Sequence, residues 1–193
     1  MKYAVLGWSA EGPTLRLDHR TFAYAGKFVT SATGTAVVLA DGAPREQPDA
    51  REGYAEGVLA AVAFDADRTD PRTLVLRYIT VRADRRGDGI GPRLATFTVE
   101  RAAARGYERA RIAVNNPFAY EALSKAGFAF TGEETGLAEL VLERPVEKPG
   151  ERSRGQYQEG LDVFRERDLT GREKRFLAAR ADAAPPAVVE PPE

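Results

Sequence analysis

A glycine-rich segment flanked by arginines is the part of this sequence best suited to chemistry. Residues 86–91 read Arg-Gly-Asp-Gly-Ile-Gly, directly after an apolar, β-branched run at 74–81 and at the start of a helix-like run that ends near Gly106. A glycine turn between a strand and a helix leaves several backbone N–H groups uncovered, with the positive end of the helix dipole behind them. Such a turn favours a phosphate ligand. Four arginines around the turn add mobile positive charge: Arg82, Arg85, Arg86 and Arg93.

Two common phosphate loops do not fit this segment. The P-loop requires a Lys followed by Ser or Thr after its last glycine, whereas Pro92 and Arg93 follow here. The dinucleotide pattern requires G-x-G-x-x-G, whereas these glycines are spaced G-x-G-x-G and no acidic residue closes the next strand. The pattern that fits is Arg-x-x-Gly-x-Gly, with Arg86, Gly89 and Gly91 at its fixed positions. A plain tight turn with solvated arginines is the alternative.

A second segment downstream has its own strand and helix signals. Residues 109–114 are strand-like, and residues 115–128 read Asn-Asn-Pro-Phe-Ala-Tyr-Glu-Ala-Leu-Ser-Lys-Ala-Gly-Phe. Asn116 suits a helix N-cap, and Pro117 suits the first helical position, where its missing N–H has no cost. Gly127 suits the left-handed position that ends a helix. The segment therefore predicts a strand, a short helix and a further strand.

In this order and at this separation, the two segments resemble the signatures of the GNAT superfamily of acyl-CoA-dependent N-acetyltransferases. The resemblance implies an α+β (mixed α/β) fold, in which flanking helices cover a central, mostly antiparallel twisted sheet with one splayed parallel strand pair. A C-terminal helical extension would follow that fold. The resemblance also implies acetyl-CoA as cosubstrate and no metal.

Coenzyme-binding positions follow from the resemblance. The backbone of the loop would hold the pyrophosphate, and the backbone of the preceding strand end would pair with the two amides of pantetheine. The N–H near Val81 would donate to the thioester oxygen, and Asn116 would cap its helix and contact the coenzyme arm. The cofactor-binding positions are Ile79, Thr80, Val81, Arg86, Gly87, Asp88, Gly89, Ile90, Gly91 and Asn116.

The proton-transfer groups of the family are replaced in this sequence. Many family members carry a Tyr seven residues after the capping Asn, and this chain has Leu123 there. Tyr120 and Ser124 are the candidates for the missing acid, directly or through water, although Tyr120 fits a core or wall position equally well. The family's Glu base is replaced by Arg111. The candidates by proximity are then Tyr78, Glu121, Glu133 and Glu134.

Composition excludes several other classes of function. The 193 residues contain no Cys and one His, which excludes a disulfide framework, a thiolate or multi-histidine metal site and a cysteine nucleophile. His19 is expected at the surface. A net charge of −1 gives no global case for binding nucleic acid or an anionic membrane. Without a signal peptide or a long apolar run, we expect a cytoplasmic location.

The remaining sequence predicts a strand meander before the loop and short helices after the sheet. Residues 9–31 have no clear helical period, although the resemblance implies one or two helices there. Pro145 and Gly150 mark a boundary, which divides the chain into an acetyltransferase-like domain (1–145), a helical extension (146–182) and a disordered tail (183–193). The extension could pack on its own domain, form a lid or make a homodimer contact.

Two functions from different classes remain. The first is an N-acetyltransferase that moves an acetyl group from acetyl-CoA to an amine by direct attack in a ternary complex, with a small-molecule or protein amine as acceptor. The second is a CoA-binding sensor or partner subunit with weak or no turnover, which the missing Tyr and Glu favour. A scaffold that binds no CoA is a third option.

Overall fold

The computed structural model describes residues 1–9, 12–30 and 33–192. Within these ranges the chain forms seven strands and five helices. The strands are β1 (Lys2–Gly7), β2 (Gly34–Leu39), β3 (Val58–Ala66), β4 (Thr73–Val81), β5 (Arg109–Val114), β6 (Ala129–Glu134) and β7 (Leu140–Pro145). The helices are α1 (Lys27–Thr30), α2 (Ile90–Ala103), α3 (Pro117–Lys125), α4 (Arg154–Arg165) and α5 (Gly171–Ala178).

All seven strands form one sheet in the order β1-β2-β3-β4-β5-β7-β6. Every neighbouring pair is antiparallel except β4 and β5, which are parallel and are joined by a crossover through α2. The mixed fold class predicted from the sequence is confirmed.

The two parallel strands separate along their length. They pair from Thr73 with Arg109 to Leu76 with Ile112, and β4 then continues to Val81 without a partner on that side. A bulge accompanies the separation, because Leu76 and Tyr78 of β4 lie opposite consecutive residues of β3. The pairing of β4 with β5 ends at this bulge, and the predicted splayed pair is present as a gap between the two strands.

Each face of the sheet has its own apolar core. The larger core lies under α2 and α3 and includes Leu74, Leu94 and Ile112. The opposite face of β1–β3 is covered by residues 12–30, through Leu15 and Phe28 among others. This covering segment is mostly irregular, with a single helical turn at α1 in its described part. Residues 10, 11, 31 and 32, which belong to the region of ambiguous sequence signal, lie outside the described residues.

The C-terminal helices are built into the larger core. Tyr157, Leu161 and Phe164 of α4, together with Leu177 of α5, are buried in the same cluster as the sheet residues. The sequence boundary at 145 therefore marks a change of element within one continuous core. None of the helices in the described ranges is long and apolar enough to cross a membrane.

The final segment, residues 184–192, makes polar contacts with the rest of the protein. The Val189 N–H donates to the Lys125 carbonyl at 2.8 Å, and Arg152 donates to the Pro186 carbonyl at 3.1 Å. Two residues of this segment, Pro186 and Val189, are thus hydrogen-bonded to partners that are distant in sequence, and the disordered tail expected from composition stays a prediction. Glu193 lies outside the described residues.

Candidate active site

The glycine loop leaves β4 through a short 3₁₀ turn at Ala83–Arg85 and enters α2 at Ile90. Gly87 and Gly89 have φ angles of 95° and 73°, in the left-handed region that residues with a Cβ rarely adopt. Gly89 is the N-cap residue of α2 and has no side chain to cap the helix. The loop backbone therefore reaches the helix N-terminus uncovered.

The loop forms an open cradle of donors. Among the described residues, the N–H groups of Arg86, Gly87, Asp88 and Gly89 donate no hydrogen bond. A Cβ built on Gly87 would meet nothing within 4 Å, and one on Gly89 would meet only the end of Arg93, at 3.7 Å. The first turn of α2 contains no acidic residue. Uncovered donors at the positive end of a helix fit an anion such as a pyrophosphate.

Ion pairs neutralise some of the charged side chains around the cradle. Arg85 donates to the Asp88 carboxylate at 2.8 Å, which offsets the one acidic side chain in the loop. Arg86 donates to the Val81 carbonyl at 3.3 Å, and Arg93 donates to the Asp88 carbonyl at 3.5 Å. Neither Arg86 nor Arg93 has a carboxylate within 4.0 Å in the described ranges. Both guanidinium groups therefore keep their charge available for a ligand.

The gap between β4 and β5 exposes backbone groups of β4. The Arg82 N–H donates to Leu59 at 2.9 Å, on the β3 side. Because strand residues alternate, the backbone groups of Val81 and Ile79 face away from β3, toward the gap. The same alternation directs the backbone of Thr80 to β3, unlike the role predicted for it. Thr80 instead contributes a buried hydroxyl that has no hydrogen-bond partner among the described residues.

Asn116 begins α3 at the end of β5. Its side-chain oxygen accepts the Ala119 N–H at 2.9 Å, and Pro117 occupies the first turn. Gly127, with φ of 85°, follows the end of α3. The predicted helix signals in this segment are confirmed, and Asn116 lies next to the strand that forms the far side of the gap.

Comparison with known proteins decides the family. Residues 33–128, about half of the chain, match the sequence model of the acetyltransferase (GNAT) family. This segment is a GNAT acetyltransferase domain. No curated protein matches the chain.

Solved structures of similar fold include several acetyltransferases. Nourseothricin acetyltransferase is 23% identical, with a TM-score of 0.46, over 58% of this chain and 65% of its own chain. An N-acetyltransferase from Staphylococcus aureus Mu50 is 21% identical, with a TM-score of 0.46, over 58% and 67%. An aminoglycoside 6'-N-acetyltransferase complexed with coenzyme A is 11% identical, with a TM-score of 0.46, over 58% and 72%. The match thus spans slightly less than two thirds of nourseothricin acetyltransferase.

Tyr120, a predicted proton donor of the GNAT domain, lies in the interior beneath α4. Its side chain is 2% exposed, and its hydroxyl donates to the Tyr157 carbonyl at 3.1 Å. Its ring stacks on that of Tyr157 at 5.5 Å and meets Phe164 edge-on at 5.8 Å. Burial raises the pKa of Tyr120 above its ordinary value. These contacts match the core position that the sequence left open, and its role as an acid stays a prediction.

Ser124 occupies the same side of α3 as Tyr120. It is buried, and its hydroxyl accepts from Arg152 at 3.3 Å. Both predicted proton donors therefore contact residues of the helical extension, namely Tyr157 and Arg152. That extension is far away along the chain, so the local sequence gave no sign of the contact.

The predicted bases are dispersed. Although burial favours a higher pKa for Glu121, hydrogen bonds from Arg180 and Lys125 outweigh it and lower that pKa. The bond from Arg180 joins α3 to the residues that follow α5. Glu133 lies 3.7 Å from Arg111, and Glu134 lies 3.3 Å from Arg167.

Tyr78 lies on the unpaired stretch of β4. Its ring is 6.1 Å from that of Tyr24, and the Lys27 ammonium lies 5.5 Å above it. Tyr24 and Lys27 belong to the segment covering the opposite face, and Tyr24 is half-exposed with a left-handed φ of 58°. Sequence periodicity gave no signal for this aromatic wall.

Replacing Tyr120 by Phe should reduce the free energy of unfolding by about 1 kcal/mol, because the buried hydrogen bond from its hydroxyl to the Tyr157 carbonyl is lost. We expect binding of acetyl-CoA to stay within twofold of the unmodified protein, since the contacts of Tyr120 lie under α4. Urea unfolding and calorimetric titration measure the two quantities. A variant of unchanged stability whose turnover falls more than tenfold would instead identify Tyr120 as the acid.

Proposed function

We propose that this chain is an N-acetyltransferase that moves an acetyl group from acetyl-CoA to an amine by direct attack in a ternary complex. The observation that carries the proposal is the uncovered glycine cradle at the end of the unpaired stretch of β4. Acetyl-CoA would supply the activated acetyl group. To bind acetyl-CoA, the protein needs an anion site for the pyrophosphate and a place for the extended pantetheine arm, which carries two amides.

The cradle suits the anionic part of the coenzyme. The N–H groups from Gly87 to Gly91 would hold the pyrophosphate, with Arg86 and Arg93 adding charge. Gly91 also supports this placement, because a Cβ there would lie 3.3 Å from the Val81 side chain. The glycine therefore lets the first turn of α2 approach the end of β4.

The unpaired stretch of β4 suits the extended part. Ile79 presents a backbone donor and acceptor to the gap and Val81 presents a donor, since the Val81 carbonyl accepts from Arg86. An arm with two amides can pair with these groups as a short extra strand. A Val81 N–H directed into the gap is placed to donate to a thioester oxygen. Holding both reactants at this position would itself contribute much of the rate.

Proton transfer in this proposal does not depend on Tyr120 or Ser124. Tyr78 is a candidate, because it lies within the unpaired stretch of β4 and forms an aromatic wall with Tyr24. Water in the open gap is the other proton carrier. The acceptor is an amine of a small molecule or a protein.

Release of free thiol from acetyl-CoA tests the proposal. The protein is incubated with acetyl-CoA and, separately, with a polyamine, an aminoglycoside, a lysine peptide and a peptide with a free N-terminus. We expect thiol release above the amine-free rate with at least one class, and its loss in the Gly89→Val variant. Binding of acetyl-CoA without turnover of any amine would support the sensor alternative, which the buried position of Tyr120 favours.

A further inference from the structure

A second groove lies at the β1 edge of the sheet, between that strand and the C-terminal half of α2. Its volume is about 390 Å³. Three aromatic and three basic side chains line it: Tyr3, Trp8, Phe97, Arg45, Arg101 and Arg105. Strands β2 and β3 separate it from the gap beside β4, so it is distinct from the proposed coenzyme site. We refer to it as the β1 groove.

The arginines of the β1 groove are held by aromatic rings. The Arg101 guanidinium lies 5.1 Å from the centre of the Phe97 ring, and that of Arg105 lies 4.8 Å from the Trp8 ring. In the described ranges, neither these two nor Arg45 has a carboxylate within 4.0 Å, whereas many other arginines of the chain do. In a chain of net charge −1, this is a local concentration of uncompensated positive charge. It favours an acidic ligand.

The strand edge adds backbone groups to the groove. Arg45 donates to the Val5 carbonyl at 3.2 Å. Since β1 is an edge strand of the sheet, this carbonyl faces outward. Alternation along the strand directs the backbone of Tyr3 outward as well. An outward-facing edge of this kind can accept a further strand.

We propose that the β1 groove binds an extended acidic segment of a partner protein, added as a strand beside β1. Arg101 lies in the last turn of α2, and Arg105 lies two residues after the end of that helix. Acidic residues at alternate positions of a strand place their carboxylates on one side, about 6.7 Å apart. Such a segment would direct its carboxylates toward these arginines, while the aromatic rings contact the rest of the segment.

Fluorescence anisotropy tests the proposal with the full chain. The probe is a labelled peptide, Glu-Val-Glu-Val-Glu-Val, and its controls carry Lys in place of Glu or N-methyl groups at alternate amides. We expect on the order of micromolar binding of the acidic peptide and at least about tenfold weaker binding of both controls.

Paired variants locate the binding. The double variant R101E/R105E should weaken peptide binding at least about tenfold. The matched variant R51E/R68E, which makes the same charge change at two exposed arginines elsewhere, should stay within about twofold. Both should bind acetyl-CoA like the unmodified protein, so failure here is distinguishable from failure of the proposed function. Absence of peptide binding, or equal loss in both variants, would overturn the proposal and leave the arginines as protection of an exposed edge. Unchanged binding of the N-methylated peptide would overturn strand addition.

Discussion

Replacing Gly89 by Val should weaken acetyl-CoA binding by at least about 100-fold, which corresponds to about 2.7 kcal/mol. Two effects act together. The φ of 73° at this position is unfavourable for a β-branched residue. The new side chain would also enter the open space of the cradle, where the backbone must approach a phosphate closely. Calorimetric titration of the purified variant gives the dissociation constant directly.

The matched control for this variant is Gly106→Val. Gly106 follows α2 with a φ of 82°, and a Cβ there would meet nothing within 4 Å. The backbone strain is therefore similar, but the position is remote from the cradle. The control should lose stability and keep its affinity for acetyl-CoA. Equal affinities of the two variants would remove the loop from the binding site.

Replacing Gly160 by Ala should lower the free energy of unfolding by about 2–3 kcal/mol, although a single methyl group is added. A Cβ at this position of α4 would overlap the Tyr120 side chain, at 2.5 Å from the ring carbon that bears the hydroxyl. The Tyr120 ring is fixed by Tyr157 and Phe164, so α4 must shift to make room. Urea denaturation measures the loss.

The matched control lies in the same helix. Gly155 has no atom nearer than 3.9 Å to an added Cβ, and Ala has the higher helix propensity. Gly155→Ala should therefore be neutral or slightly stabilising. If Gly160→Ala were equally neutral, α4 would not be packed on Tyr120 as the structure has it.

Local signals explain why much of the candidate site could be predicted. The glycine loop, the Asn116 cap and the stop at Gly127 each depend on the conformational preferences of one or two residues. The mostly antiparallel sheet and the gap beside β4 depend on long-range pairing, and their prediction came from the resemblance to the GNAT family.

Long-range contacts explain what the sequence left open. Tyr120 donates to a carbonyl 37 residues away, and nothing near it in the sequence indicates that α4 covers it. Gly160 is a local sequence signal for this contact, because a glycine inside an amphipathic helix suggests close approach by another group. The β1 groove likewise needs β1 and α2 to meet, which periodicity within either element cannot show.

The most direct test of the account is a calorimetric comparison of CoA with pantetheine, which has the same thiol arm but no pyrophosphate. If the loop at residues 86–91 holds the pyrophosphate, CoA should bind with an affinity on the order of micromolar and pantetheine at least about 100-fold more weakly. Equal affinities would contradict the assignment of the loop, and absence of CoA binding would contradict the proposed function itself.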